Sequence, residues 1–364
     1  MKNSLLFVIS IFVSIIFAEL LTRVFYDPAL GTYAGLSGSY EKHGELGWLP
    51  KKKFQGRHDR PGSFESSFST NSLGLRDREH GIPRKRNIAR IVALGDSFTW
   101  GFAVNDGENF TDILETKLDN TEVINLGVSA YDLRQQVDYF NKLGILFDPD
   151  ILLLAFVMND IYPAKLDAAE ESQKVGATQD AFQNSFRDAK RILAENSALY
   201  SLLRDFVNHN SLLFNVFAKF GLKEAKGGFG DLHDNLRPAL RQYPPELGRR
   251  WEITKKRLLD LKRTCDRNGI RLIIAIVPLE AWLDEKLLRK ILIYTIYKIE
   301  DFDLQKPYRL MQEFADRNDI EIVDPLSAFK EAVALGATLY LKKDIHFSKD
   351  GHRLFADQIV KYLK

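Results

Sequence analysis

The fold of this chain is decided by one stretch, Ile91-Val92-Ala93-Leu94-Gly95-Asp96-Ser97-Phe98-Thr99. An apolar run that stops at a glycine is typical of a buried strand, and the polar residues after it indicate a turn into a helix. Such a turn holds the Ser97 hydroxyl at the rim of a sheet, which is where a nucleophile has to lie. The simpler alternative is that Ser97 caps the following helix.

A second segment, Asp344-Ile345-His346, supplies what a serine nucleophile lacks. A serine hydroxyl is barely ionised at neutral pH, so it needs a base to accept its proton, and the base needs a carboxylate to orient it. Ser97, His346 and Asp344 are the residue types for these three roles. Hydrolase chemistry is therefore the first hypothesis.

Strand and helix patterns alternate on both sides of this stretch. The predicted strands are Arg90–Leu94, Glu122–Leu126, Asp150–Val157, Arg271–Val277 and Glu321–Val323, and the predicted helices are 109–118, 132–143, 251–268, 308–317 and 349–363. Five strands joined by helical crossovers imply a parallel sheet with helices on both faces. We therefore expect a three-layer α/β/α sandwich of flavodoxin-like type.

Two further residues lie at the carboxyl ends of predicted strands, which is the edge where ligands bind in such sheets. Gly127 ends the second strand, and without a Cβ its N–H can approach a developing oxyanion closely. Asn159 follows the third strand and offers a side-chain amide as a further donor. An ordinary turn at Gly127 and a helix cap at Asn159-Asp160 are the structural alternatives.

Four blocks in this order resemble the SGNH superfamily of GDSL-type esterases and lipases over residues 88–364, with an insertion at about 161–250 excepted. Gly95-Asp96-Ser97 is similar to the nucleophile block of that family, Gly127 to its glycine block, Asn159-Asp160 to its asparagine block and Asp344-Ile345-His346 to its terminal block. A bacterial subgroup with an N-terminal membrane anchor has segments similar to 45–48 and 71–76.

The resemblance implies a role for each residue. Ser97 attacks the acyl carbonyl, His346 accepts the proton of Ser97, and Asp344 orients the imidazole. The oxyanion is met by the backbone N–H groups of Ser97 and Gly127 and by the amide of Asn159. Hydrolysis then proceeds through an acyl-enzyme, with no metal and no cofactor.

The sequence departs from the family pattern at two informative points. Val157 stands where a glycine usually precedes the asparagine, which reshapes or narrows the pocket. One residue separates Asp344 from His346 where the commoner form has two. The shorter spacing also occurs in branches of the family such as the alginate acetylation proteins, so transfer of an acyl group to a sugar hydroxyl stays open.

A second pair, Asp350-Gly351-His352, resembles the terminal block but is expected to lie at the start of the last helix, as an N-terminal cap. We therefore favour His346 as the base. Asp344, His346, Asp350 and His352 together are the alternative of a metal site, which no other ligand motif in the chain supports.

The amino terminus predicts a different environment. Lys2 precedes an apolar run, Leu5–Ala18, and a helix over residues 4–25 is on the order of 33 Å long, enough to cross a bilayer. We expect a membrane anchor at 1–26, with a cleaved signal peptide as the alternative. A neck or lid region at 27–87 follows, and then the enzyme domain at 88–364 with a helical insertion at about 161–250. This arrangement places the domain in the periplasm, outside the bacterial inner membrane.

The composition and charge of the chain limit the classes of partner that it is expected to bind. The 364 residues carry a net charge of +2 without a basic stripe, which gives nucleic-acid binding little support. We expect a serine esterase acting on O-acyl or O-acetyl groups of a small molecule or of envelope carbohydrate. The alternatives are an acyltransferase, a lipid or lysophospholipid esterase, and a non-catalytic protein that binds polysaccharide.

Overall fold

A computed structural model describes the residues 2–25, 38–60, 63–161, 197–200, 202–203, 235–292, 295, 297–342 and 344–364. The chain forms two compact units. The N-terminal unit comprises residues 1–38 and 170–231, and the sheet unit comprises residues 39–169 and 232–364.

The sheet unit is built on five parallel strands. They are β5 (Ala89–Gly95), β6 (Thr121–Asn125), β7 (Ile151–Phe156), β8 (Arg271–Ile276) and β9 (Glu321–Val323), in the spatial order β6-β5-β7-β8-β9. The order reverses at β5, because β6 pairs with one edge of this strand and β7 with the other. The crevice at such a reversal is where open α/β sheets bind their ligands. The predicted five-stranded parallel sheet is confirmed.

The strands are buried because helices pack around the sheet. These helices are α2 (Ser97–Trp100), α3 (Phe110–Lys117), α4 (Leu133–Lys142), α5 (Pro245–Arg267), α6 (Glu280–Leu283), α7 (Glu285–Leu292), α8 (Lys306–Arg317), α9 (Leu326–Ala334) and α10 (Lys349–Leu363). In β7 every residue after Ile151 is buried, as expected of a central parallel strand covered on both faces. The predicted flavodoxin-like arrangement of sheet and helices is confirmed.

Two β-hairpins precede the sheet, inside the region predicted as a neck or lid. The first pairs β1 (Tyr40–His43) with β2 (Gly47–Pro50), and the second pairs β3 (Gln55–Arg60) with β4 (Phe64–Ser69). The second hairpin contributes Phe68 to a buried cluster with Trp100, Phe102 and Ala103, the residues that follow the predicted nucleophile. The hairpins thus belong to the sheet unit and pack beside its ligand-binding edge.

The helix α5 begins earlier than predicted. It begins at Pro245 rather than at Trp251, and Pro244 is its N-cap residue. A proline at the first helical position costs the helix no hydrogen bond, because the N–H that proline lacks has no partner in the first turn of a helix. The Pro244-Pro245 pair therefore starts a helix here. The rest of the predicted insertion lies largely outside the described residues.

The N-terminal unit contains α1 (Lys2–Phe25). In the described parts of the chain we find no helix with both the length and the apolar character that a membrane crossing requires. The predicted transmembrane anchor is therefore not supported. The Glu19 carboxylate of this helix accepts hydrogen bonds from the backbone of Ala198 at 2.9 Å and Leu199 at 3.0 Å, at the start of a helical segment.

Candidate active site

Ser97 is the first residue of α2, directly beyond the end of β5. Asp96 caps this short helix, and its side chain accepts the N–H of Phe98 at 2.9 Å. Gly95 makes the turn possible, because a Cβ at this position would lie 2.2 Å from Thr99 Oγ1. The strand-to-helix turn predicted from the sequence is therefore present, and it leaves the Ser97 side chain 6% exposed.

The structure brings Ser97, His346 and Asp344 together across 249 residues of sequence. Ser97 Oγ lies 2.7 Å from His346 Nε2, and His346 Nδ1 lies 2.5 Å from Asp344 Oδ1. A carboxylate only accepts, so the proton of the imidazole is on Nδ1 and Nε2 is free to accept from the serine hydroxyl. This is the arrangement in which histidine acts as a general base toward serine.

Asp344 is held in its ionised form by its neighbours. Burial alone raises the pKa of this carboxyl, but the hydrogen bonds and charge of His346 and the charge of Arg60 outweigh it, so the pKa lies below its usual value. The Asp344 side chain is 9% exposed. A carboxylate in this position is the group that stabilises an imidazolium in enzymes in which a histidine takes a serine proton.

Of the predicted oxyanion donors, Gly127 has a clear packing role. Its N–H donates to Asn125 Oδ1 at 2.8 Å. A Cβ on Gly127 would lie 2.2 Å from the backbone nitrogen of Trp100, so the end of β6 touches the backbone of α2. The glycine thus allows β6 and the nucleophile-bearing helix to approach closely.

Asn159 lies just beyond β7, in a short 3₁₀ helix, Met158–Ile161. Its side-chain Oδ1 is buried without a hydrogen-bond partner in the described part of the chain. The neighbouring Asp160 fixes this turn, since its carboxylate accepts from the N–H of Val157 at 3.0 Å and from Gln136 Nε2 at 2.8 Å. The assignment of Ser97, Gly127 and Asn159 as oxyanion donors stays a prediction.

His352 lies away from the nucleophile. Its Nδ1 accepts the backbone N–H of Phe110 at 3.3 Å, and burial lowers its pKa to about 3. The cap of α10 is Ser348 rather than the Asp350–His352 pair, because Ser348 Oγ accepts the N–H of Gly351 at 3.2 Å. Among the described residues no group of three or more His, Cys, Asp or Glu side chains is placed to hold a metal ion.

Two arginines near the site had not been singled out from the sequence. Arg60 donates from Nη1 to Asp344 Oδ2 at 2.8 Å. Arg76, the last residue of the segment 71–76, donates to the backbone oxygens of Trp100 at 3.1 Å and Val104 at 2.6 Å. A contact between residues 60 and 344 leaves no local pattern in the sequence, and the similarity of 71–76 to a family subgroup does not by itself give Arg76 a role.

Comparisons with known proteins identify the family of the chain. A family model described as GDSL-like Lipase/Acylhydrolase matches residues 91–359. No curated protein matches the chain. Similar solved structures include a lipolytic protein of the G-D-S-L family from Veillonella parvula, at 13% identity over 75% of this chain and 97% of that chain with a TM-score of 0.39.

An acetyl xylan esterase, AlAXEase, matches at 12% identity over 76% of this chain and 100% of that chain, with a TM-score of 0.41. The lipase/acylhydrolase from Enterococcus faecalis matches at 14% identity over 76% and 95%, with a TM-score of 0.38. The family assignment rests on the family model, which covers most of the chain. The protein therefore belongs to the GDSL-like lipase/acylhydrolase family and is an ester hydrolase of the SGNH type.

Proposed function

We propose that the protein cleaves short-chain O-acyl esters of carbohydrate through a covalent acyl-enzyme. The observation that carries the proposal is the hydrogen-bonded chain from Ser97 Oγ through His346 to Asp344, with distances of 2.7 and 2.5 Å.

In the first step Ser97 Oγ attacks the ester carbonyl while its proton passes to His346 Nε2. The imidazolium, stabilised by Asp344, then gives this proton to the leaving alcohol, and the acyl group stays on Ser97. In the second step water attacks the acyl-enzyme, with His346 again as the base. The carboxylic acid leaves and Ser97 regains its hydroxyl proton.

A short acyl group is favoured by the crowding around the nucleophile. His346 is 2% exposed, and the rings of Phe98 and Phe102 have their centroids 5.0 and 4.6 Å from the centroid of its imidazole. Val157 adds bulk where the family usually has a glycine. An acetyl group fits such a site more easily than a long acyl chain, so this crowding argues against long-chain lipid esters.

Carbohydrate as the carrier of the acyl group is supported by the similarity of segments 45–48 and 71–76 to a bacterial subgroup and by a location outside the cytoplasm. That location is itself a proposal, supported by Lys2 and the apolar run Leu5–Ala18, which fit the alternative of a cleaved signal peptide. A fluorophosphonate probe that cannot enter the cytoplasm should label the chain in cells whose inner membrane is intact. Labelling only after the cells are lysed would contradict the location.

The catalytic proposal is tested with the full chain and a fluorophosphonate probe. Wild type should be labelled and should hydrolyse p-nitrophenyl acetate much faster than p-nitrophenyl decanoate. Ser97→Ala and His346→Ala should lose labelling and at least about 10³-fold in kcat, as expected when a member of a triad is removed. His352→Gln is the control for loss of an imidazole outside the triad, and the folded variant should keep activity.

Release of acetate from O-acetylated xylan or alginate tests the substrate class. Hydrolysis of p-nitrophenyl acetate without any release of acetate from these polymers would contradict the carbohydrate assignment. Appearance of acetyl esters on an added oligosaccharide, in place of free acetate, would favour acyl transfer over hydrolysis. A folded wild type that is neither labelled nor active would favour a binding protein without catalysis.

A further inference from the structure

A fourth side chain extends the hydrogen-bonded chain of the active site. Arg60 Nη1 donates to Asp344 Oδ2 at 2.8 Å, whereas Oδ1 of the same carboxylate accepts from His346. We propose that Arg60 is a positioning residue of this active site, which fixes the Asp344 carboxylate in the orientation that serves His346. The inference deepens the proposed function and rests on it.

The second hairpin determines where Arg60 lies. Side chains alternate along a strand, so Arg60 shares a face of β3 with His58, two residues earlier. His58 is 1% exposed, and its ring centroid lies 4.6 Å from that of Phe102. The Nδ1 of His58 accepts the N–H of Ala103 at 3.2 Å. Because Phe102 also packs against His346, this face of β3 is anchored to the catalytic segment itself.

The end of the hairpin is also joined to the segment that carries Asp344. Ser63 donates a hydrogen bond from its hydroxyl to the backbone oxygen of Lys342. The guanidinium of Arg60 lies 5.4 Å from the ring centroid of Phe64, its partner in the strand register. These contacts leave the guanidinium little freedom, so its direction toward Asp344 is a property of the folded hairpin.

The contact matters because the two oxygens of Asp344 have different donors. Oδ1 accepts the ring N–H of His346 at 2.5 Å and the backbone N–H of His346 at 3.1 Å, and Oδ2 accepts from Arg60. Without Arg60 the carboxylate loses the donor that opposes rotation of Oδ1 away from the imidazole. It also loses a cation that lowers the pKa of Asp344.

The pH dependence of the pair involves other groups. Those whose charges interact with His346 are Asp344, Asp96 at the start of α2, His58 of β3 and His352 of α10. Burial lowers the pKa values of His58 and His352 to about 3, so both stay neutral above pH 4. Burial raises the pKa of Asp96, which therefore titrates in the acidic range. All of these groups stay the same in an Arg60 variant, so the difference from wild type isolates Arg60.

The experiment measures kcat, KM and the pH profile of kcat/KM on p-nitrophenyl acetate for the full-length wild type, Arg60→Ala, Arg60→Gln and Arg60→Lys. The pair is part-exposed (the Arg60 side chain 36%), so we expect loss of the charge-assisted hydrogen bond to lower kcat about tenfold, with little change in KM. The acid limb of the profile, where kcat/KM falls as the pH decreases, should move to higher pH in the Ala and Gln variants, because Asp344 loses the cation that lowers its pKa. In Arg60→Lys the charge is kept, so the acid limb should return toward its wild-type position.

Arg57→Ala is the matched control. Arg57 lies on the opposite face of β3, where it pairs with Glu65, and it is 62% exposed. The Arg57→Ala substitution should leave kcat and the acid limb unchanged. If Arg60 has a role in stability alone, its loss should lower the unfolding midpoint without moving the acid limb. Either this result or wild-type kinetics in Arg60→Ala would overturn the inference.

If Arg60→Ala does not fold, the comparison of Arg60→Gln with Arg60→Lys tests the inference, because glutamine removes the charge and lysine keeps it. An identical acid limb in these two variants would overturn the inference. Failure of the proposed function is distinguishable, since in that case the wild type itself is neither labelled nor active.

Discussion

At the residue scale, the hydrogen bonds that begin at Ser97 and at Arg60 converge on the carboxylate of Asp344. The serine hydroxyl donates to His346 Nε2, the imidazole donates from Nδ1 to Asp344, and Arg60 donates to the far oxygen of that carboxylate. Because a carboxylate only accepts, the imidazole proton lies on Nδ1 and Nε2 faces the serine hydroxyl.

A substitution at Gly127 distinguishes a packing role of this residue from a role as an oxyanion donor. In Gly127→Ala the new Cβ would meet the backbone of Thr99 and Trp100 at 2.4 and 2.2 Å, and backbone atoms cannot rotate away. We expect the free energy of unfolding in urea to fall by about 2–3 kcal/mol, as for overpacked cores, with loss of activity because α2 is displaced.

Gly248→Ala, on α5 with no atom within 4 Å of its Cβ position, is the control and should be neutral or stabilising. A Gly127→Ala protein with wild-type stability and reduced kcat would instead favour the oxyanion role alone.

The candidate residues Ser97 and His346 could be singled out from the sequence, because they lie in short blocks that resemble those of the family. Arg60 could not, since its contact with Asp344 joins an early hairpin to the end of the chain and depends on how the whole unit folds.

At the element scale, the segment 71–76 acts as a clamp on the turn that follows the nucleophile. Asn71 Oδ1 accepts the N–H groups of Leu73 at 2.9 Å and Leu75 at 3.0 Å, which shapes the segment into a tight loop. The loop presents Arg76, 4% exposed, to the carbonyl groups at the end of α2. The guanidinium thus satisfies buried backbone oxygens where α2 ends.

We expect Arg76→Ala to lower the free energy of unfolding by about 3–5 kcal/mol, because several buried acceptors lose their donor at once. Arg78→Ala should change it by less than about 1 kcal/mol, since Arg78 is 53% exposed and pairs with Glu115 at the surface. Urea unfolding followed by tryptophan fluorescence measures both. Equal losses in the two variants would contradict the clamp.

Elements of the sheet could be predicted to within a residue at most ends, because buried parallel strands such as β7 are continuous apolar runs. The hairpins were missed. Their strands are four to six residues long and rich in polar residues, as in Gln55–Arg60, so they show no continuous apolar run. Short strands of this kind are specified by the surface on which they pack.

At the scale of the whole molecule, buried histidines couple the stability of the sheet unit to pH. His352 is 1% exposed and packs against Phe110 and Phe347, and burial lowers its pKa from the usual 6.5 to about 3. Below pH 6.5 the unfolded chain binds a proton at this imidazole that the folded protein does not bind. The stability conferred by a neutral His352 is therefore present above pH 6.5 and is lost as the pH falls toward 3.

Between pH 7 and pH 5 we expect wild type to lose about 2 kcal/mol more unfolding free energy than His352→Gln, because the unfolded imidazole is almost fully protonated at pH 5. Glutamine keeps an oxygen to accept the N–H of Phe110 but has no proton to bind. All four tryptophans, Trp48, Trp100, Trp251 and Trp282, lie in the sheet unit, so their fluorescence in urea reports its unfolding. His43→Gln, in the first hairpin, controls for loss of an imidazole outside the core. Parallel pH dependence in wild type and His352→Gln would mean that His352 takes up its proton in the folded state, which its burial argues against.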